Sequence, residues 1–356
     1  MLKLGATLYS FQDDFRQGKL DLEGAVCFLS DIGAYGVEIV PEQTLTDVQY
    51  ETIDENFVAY WKDLVAKYKL FPTNCNLYDD YDMFANRYLT EDERYQQFKH
   101  GVLLAETLGF RSVRGCPDMP PSLLERCIKV AEDHGIIVSL EVHAPFSMKS
   151  TWMQTWFDMI ERTGTEYAGI HPDAAIFSVA PHATELRNAL ARGANPEILE
   201  YIKEAYRKNA ERRAREREML VFGKYRETTG YGAQEMIEQI KRMGGGELEL
   251  SFAGRLTCDS PDWIVEYAKY IKHFHGKFYD MEPDGQGGWY DPSIDFEGII
   301  RALKKIGYTG FISAEYEGQG AYRAIDNPDP GPSGTEMVKK LHAMIRALEA
   351  RIDAEA

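Results

Sequence analysis

Four short stretches in the second half of the chain end in side chains suited to a divalent cation: Ser139-Leu-Glu-Val-His143, Gly169-Ile-His-Pro-Asp173, His273-Phe-His275 and Ser313-Ala-Glu315. Each lies at the downstream end of an apolar run that reads as a β-strand. Side chains alternate between the faces of a strand, so Glu141 shares a face with Ser139 and His143, and His171 shares one with Asp173. By the same count His273 lies with His275 and Lys277, and Ser313 lies with Glu315 and Glu317. Two glutamates, one aspartate and one histidine make a donor set of mostly oxygen with one imidazole. Such a set favours Mn²⁺, with Mg²⁺, Co²⁺ and Zn²⁺ as alternatives, over a thiolate-preferring ion. Glu141, Asp173, His275 and Glu315 are the expected ligands. A binding barrel without metal is the competing reading, and it must explain why inward carboxylates would tolerate one another with no cation between them.

The elements that must position these groups repeat. A helix-like stretch ends in glycine and a β-rich run starts at once, as in Leu29-Ser-Asp-Ile-Gly33 before Val37-Glu-Ile-Val40, or Leu303-Lys-Lys-Ile-Gly307 before the run from Gly310 to Glu315. Glycine supplies the left-handed residue that closes a helix, so each unit is the second half of a βαβ motif. Strands are predicted near Leu4 to Tyr9, Gly36 to Val40, Pro72 to Asn76, Arg111 to Gly115, Ile136 to His143, Ala168 to Asp173, Lys272 to Tyr279 and Phe311 to Tyr316. Eight strands alternating with helices predict an α/β fold, a (β/α)8 TIM barrel whose polar faces converge at the C-terminal mouth. Thr90 followed by Glu93 predicts a capping box ahead of a helix that buries Phe98, Val102, Ala105 and Leu108.

The spacing breaks between Asp173 and His273, an interval far longer than one barrel helix needs. A long helical insertion over about 178–266, between strands six and seven, is expected within one domain spanning 1–356. It includes a mixed-charge helix over Lys203 to Glu218 and a glycine hinge at Gly244 to Gly246, and it is a candidate lid or partner-docking element.

Composition narrows the function classes. A formal net charge of −17 over 356 residues opposes binding to nucleic acid or to anionic membrane. No apolar run is long enough to cross a bilayer. Five cysteines without CxxC spacing suit a reducing compartment, so the cytoplasm is the expected location.

The order of a strand-five Glu, a strand-six Asp, a strand-seven His-x-His and a strand-eight Glu resembles the xylose-isomerase-like barrel superfamily. The runs His273-Phe-His-Gly-Lys-Phe-Tyr-Asp280 and Ile306-Gly-Tyr-Thr-Gly-Phe-Ile-Ser-Ala-Glu315 are particularly similar to it. Within it, the long insertion, Glu141-Val-His143 and Ile170-His-Pro-Asp173 look most like the α-subunits of C-glycoside deglycosidases, which act with a small β-subunit on 3-oxo-C-glycosides. The resemblance implies a metal-dependent lyase in which His143 removes the proton beside the ketone and the aglycone leaves by elimination. General chemistry points the same way: a neutral imidazole near pH 7 suits that proton, provided the developing oxyanion is stabilised. A structural histidine or a fifth ligand is the alternative role for His143. The runner-up activity is a sugar isomerase or epimerase in which Glu141 and Glu315 move a proton through a cis-enediolate. Ile176 stands where ketose 3-epimerases carry a substrate-binding histidine, which counts against that version. An AP endonuclease needs several metals held by many histidines and a basic face for DNA, whereas this chain has eight histidines in all and an acidic balance.

Secondary contacts with substrate are assigned to Lys277, His171 and Trp289. Lys277 could instead close a salt bridge inside the barrel, and His171 could orient a ligand from below, as could His273. Trp152, Trp289 and Tyr290 fall in predicted loops over the mouth, where a ring could stack on sugar or aglycone. The loop Asp284-Gly-Gln-Gly-Gly-Trp-Tyr290 lacks phosphate-cradle spacing, and no nicotinamide or flavin fingerprint appears, so another enzyme would have to oxidise the sugar.

Overall fold

Eight parallel strands wrap into a barrel in the computed structural model, which describes residues 1–44, 54–79, 81–115, 119, 121–144, 146–215, 233–322 and 331–355. The strands are β1 (Lys3–Thr7), β2 (Gly36–Ile39), β3 (Phe71–Asn76), β4 (Ser112–Gly115), β5 (Ile137–Val142), β6 (Ala168–Pro172), β7 (Phe274–Phe278) and β8 (Phe311–Tyr316). They pair in the order β6-β5-β4-β3-β2-β1-β8-β7. Two parallel bridges, Ile170 to Ile271 and Asp173 to His275, close the ring between β6 and β7. Gly169 permits that closure, because a Cβ there would lie 2.3 Å from the carbonyl oxygen of Tyr270.

The strands are buried on both faces, as a barrel ringed by helices requires. Some stop short of expectation. The first ends at Thr7, where its hydroxyl accepts from the Tyr9 amide and the chain turns into a short 3₁₀ helix over Leu8–Phe11. β5 ends at Val142, which leaves His143 just beyond the strand.

The ring of helices comprises α1 (Leu22–Asp31), α2 (Glu55–Lys67), α3 (Glu91–Leu108), α4 (Pro121–Asp133), α5 (Thr151–Thr163), α9 (Phe296–Lys305) and α10 (Gly334–Glu355), with α6 to α8 lying between β6 and β7. The capping box of α3 forms as the sequence predicts, and Phe98, Val102, Ala105 and Leu108 are buried against the barrel.

Between β6 and β7 the chain leaves the barrel for α6 (Ala183–Ala191), α7 (Pro196–Arg215) and α8 (Ala233–Arg242) before several shorter turns. These helices bury a cluster of their own, with Ile198, Ile202 and Tyr206 of α7 against Met236 and Ile240 of α8 and against Phe252 and Leu256. The mixed-charge helix expected over Lys203 to Glu218 is seen as far as Arg215, and 216–218 lie outside the described residues. Gly244 to Gly246 does not act as a free hinge. Gly244 has φ +82° and stops α8, while a Cβ on Gly245 would lie 2.6 Å from Ile240 Cγ2. The excursion is tied back at Asp259, whose amide donates to the Ile176 carbonyl at 2.7 Å and whose carboxylate accepts from Met148 N at 2.9 Å. Among the described residues, no helix is long and apolar enough to cross a membrane.

The C-terminal helix seals the wall beside β1. His342 of α10 donates from Nε2 to the Gly5 carbonyl at 2.9 Å, and Glu349 accepts from the Leu2 amide at 2.6 Å. Burial pulls the His342 imidazole down to about 4, so that it stays neutral in the folded protein. An unfolded chain takes up that proton near pH 6.5 and the folded one only near pH 4, so stability falls as pH drops between those values. The expected loss is on the order of 3 kcal/mol from this group. Replacing it with glutamine, His342→Gln, keeps a donor and removes the titration. Urea unfolding from pH 7 to pH 4 should show the stability gap between wild type and variant narrowing by about that amount; a gap independent of pH would refute the assignment.

Candidate metal centre

Strand register brings the predicted groups together. Neighbouring residues in a parallel pair point to the same face, and here the pairs are Glu141 with His171, Asp173 with His275, His275 with Ser313, and Lys277 with Glu315. All of these side chains are buried. Donor atoms of Glu141, Asp173, His275 and Glu315 lie within 4.8 Å of one another.

His275 stands at the centre. Its Nδ1 is 2.9 Å from Glu141 Oε1 and 3.2 Å from Glu315 Oε2, while its Nε2 is 2.5 Å from Glu38 Oε1. The Lys277 ammonium is 2.9 Å from Asp173 Oδ2, 3.1 Å from Glu315 Oε2 and 3.3 Å from Glu317 Oε1. Its three N–H donors therefore face three carboxylates. Arg114 of β4 pairs with the other oxygen of Glu141. Asp173 Oδ1 accepts from the Ala175 amide at 2.8 Å.

Two oxygens in this cluster show that the residues suit a cation. Asp173 Oδ2 and Glu315 Oε2 are within ion-pair reach of Lys277, yet both are buried without a directed hydrogen bond. Distance alone satisfies the Coulomb attraction, but the lone pairs are not aimed at a donor. Buried carboxylate oxygens normally are, so these two keep coordinating capacity. With the imidazole of His275 and Glu141 they form a converging oxygen-rich donor set.

Electrostatics follows from the same contacts. Burial raises the Glu141 carboxyl, but Arg114 and His275 outweigh it and hold the group well below its usual range. Glu315 is likewise pushed up by burial and drawn down to about 2 by His275 and Lys277. Asp173 is raised, because burial outweighs Lys277. Burial alone would lower His275, yet Glu315 and Glu38 lift it well above an ordinary histidine. Lys277 is held charged in the same way by Asp173 and Glu315.

Sequence reasoning did not single out Glu38, Asn76 or Arg114 as part of this network. Glu38 sits fully buried on β2, and its Oε1 also accepts from Asn76 Nδ2 at 2.5 Å. The signal was an acidic residue inside the apolar run Val37-Glu-Ile-Val40, which a barrel strand does not bury without a partner. His143 is half-buried just beyond the end of β5. His171 lies edge-on to His275 and His273, at ring separations of 3.9 Å and 4.5 Å.

The aromatic residues are placed differently. Trp289 lies in a two-residue ladder with Pro283 and packs under Lys340 of α10, whose Nζ is 4.2 Å from the ring centre. Trp152 is in the first turn of α5 and not in a loop, because Ser150 caps a helix that starts at Thr151. Tyr290 is exposed, with its hydroxyl 3.4 Å from Glu282. In the glycine-rich loop, Asp284 Oδ1 accepts from the amides of Gln286 and Gly288 at 2.7 Å and 2.8 Å, so those N–H groups are already used.

Known proteins share this frame. Over 367 residues the chain is 27% identical to the 3'-dehydrocarminate deglycosidase alpha subunit of Microbacterium sp., covering 99% of this chain and 97% of that one. It is also 27% identical to a C-glycoside deglycosidase alpha subunit of Arthrobacter globiformis, with 99% and 94% covered. Among solved structures, D-allulose 3-epimerase from Methylomonas sp. superposes with a TM-score of 0.51 at 14% identity, covering 98% of each chain, a likeness of fold alone. Residues 27–346 match the family described as xylose isomerase-like TIM barrel, and this chain is a member of it.

Proposed function

We propose that this chain is the α-subunit of a C-glycoside deglycosidase, a lyase that releases the aglycone from 3-oxo-C-glycosides. What supports the reading is that His143, half-buried just beyond β5, lies two residues after Glu141, one of four residues whose donor atoms converge, in a chain whose full-length relatives are named deglycosidase alpha subunits. Those four residues would hold a divalent ion, Mn²⁺ by preference, with Mg²⁺, Co²⁺ or Zn²⁺ able to replace it. When bound, the ion supplies Lewis-acid stabilisation of charge developing on a substrate oxygen.

The chain's own residues then divide the work. His143 takes the proton from the sugar carbon between the ketone and the glycosidic carbon. The electron pair left behind forms a double bond to the glycosidic carbon as the bond to the aglycone breaks, and the aglycone carbon takes up a proton. Lys277 favours the ionised form of Glu315 and Arg114 that of Glu141, so that these two groups stay fit to coordinate. A small β-subunit completes the enzyme, as the alpha subunit names of the relatives suggest, and the cytoplasm is its compartment.

A keto-sugar isomerase or epimerase is the second reading. It is favoured by the placement of Glu141 and Glu315 on either side of His275 Nδ1, where two carboxylates could serve opposite faces of one carbon. Incubating the Mn²⁺-loaded protein, with and without a candidate β-subunit, against a 3-keto C-glycoside and free ketoses separates the two. Release of aglycone supports the lyase, and ketose interconversion without release supports the isomerase.

Two outcomes are expected of the site itself. Mn²⁺ at about 100 times its Kd should stabilise the chelator-treated protein by about 2.7 kcal/mol, and Glu315→Gln should remove most of that gain. Differential scanning calorimetry reads both, and a melting temperature indifferent to metal would rule the centre out. His143→Asn should slow aglycone release by roughly 10²–10⁴-fold while leaving the Mn²⁺ stabilisation in place. A variant as fast as wild type would remove His143 from the mechanism.

A further inference from the structure

One layer below the four-donor centre lies a second convergence of ligand types. His171 is two residues upstream of Asp173 on the same face, and His273 is two residues upstream of His275. Glu38 reaches them from β2, and one donor atom from each of the three lies within 4.8 Å of the others. None of the three side chains is more than 3% exposed. Glu38 divides its two oxygens: Oε1 meets His275 and Asn76, while Oε2 is 2.9 Å from His273 Nε2.

An ion pair between Glu38 and His273 would account for two of these residues. It leaves the third unexplained. Both ring nitrogens of His171 are buried, and neither has a hydrogen-bond partner among the described residues. A fully buried imidazole with no partner on either nitrogen is unfavourable, and an aliphatic side chain would fill the same space without that penalty. Glu38 Oε2 also lacks a directed hydrogen bond, although it faces His273. A cation would give Glu38 Oε2 and one of the two His171 nitrogens a use.

We propose that Glu38, His171 and His273 form a second, deeper cation site for a borderline ion of the Zn²⁺ class. Two imidazoles and one carboxylate suit such an ion, whereas the outer set of three carboxylates and one imidazole suits a harder one such as Mn²⁺. The shared residue couples the two sites. Glu38 anchors His275 through Oε1, so an ion held by Oε2 would fix the orientation of an outer ligand, the service that outlying carboxylates give to metal-bound histidines. The site does not depend on which sugar reaction the outer centre performs.

The test is metal content, read without any activity assay. Full-length protein is stripped with chelator, loaded with Zn²⁺ alone or Mn²⁺ alone, desalted and analysed by inductively coupled plasma mass spectrometry. Expected are two Zn²⁺ per chain in wild type, one in His171→Leu, and one Mn²⁺ in either. Glu315→Gln should keep the inner Zn²⁺. Crystals soaked in Zn²⁺ should give an anomalous peak between Glu38, His171 and His273. One Zn²⁺ per wild-type chain, two in His171→Leu, or a water molecule refined between His171 and Glu38 would each overturn the proposal. If circular dichroism shows His171→Leu to be misfolded, His171→Asn replaces it, and the wild-type stoichiometry with the anomalous peak decides alone.

Discussion

Like charges cannot be gathered inside a barrel unless opposite charge sits among them, and here His275 occupies that position. Its Nδ1 faces Glu141 and Glu315, and its Nε2 faces Glu38, so one ring touches three carboxylates drawn from three strands. Lys277, two residues further along β7, does the same for Asp173, Glu315 and Glu317. β7 thus carries two of the interior's cations, with Arg114 on β4 supplying another beside Glu141. Remove either cation and a buried carboxylate loses its counter-charge, which costs far more than the ion pair is worth in isolation.

That arrangement explains why the interior stays ionised. Burial by itself would neutralise each acid, but adjacent cations reverse the effect for Glu38, Glu141 and Glu315, while Asp173 remains the group on which burial prevails. A divalent ion entering such a cluster finds Glu141 and Glu315 favoured in their ionised forms and held in place by the register of the sheet, but His275 has to give up its proton before its ring can coordinate.

The barrel and its four converging donors were legible because strand periodicity and the order of motifs are local properties. Ser139-Leu-Glu-Val-His143 and His273-Phe-His275 each declare a polar face within a few residues. Glu38 was not legible in the same way. It is a lone acid in Val37-Glu-Ile-Val40, and its meaning depends on Asn76 and His275, 38 and 237 residues away. Strand ends were also beyond the pattern: nothing in the apolar run tells that Thr7 turns its hydroxyl back onto Tyr9 and ends β1 there. Trp152 and Trp289 were placed over the mouth because their segments follow strands, but helix capping by Ser150 and packing against Lys340 decide where those rings sit.

The helical excursion leaves the barrel after β6 and re-enters before β7, at the seam that two single bridges close while every other pair of neighbouring strands shares a longer ladder. One of those two rungs joins Asp173 to His275. The joint of the wall with the fewest rungs is therefore also the place where two of the four gathered donors face each other.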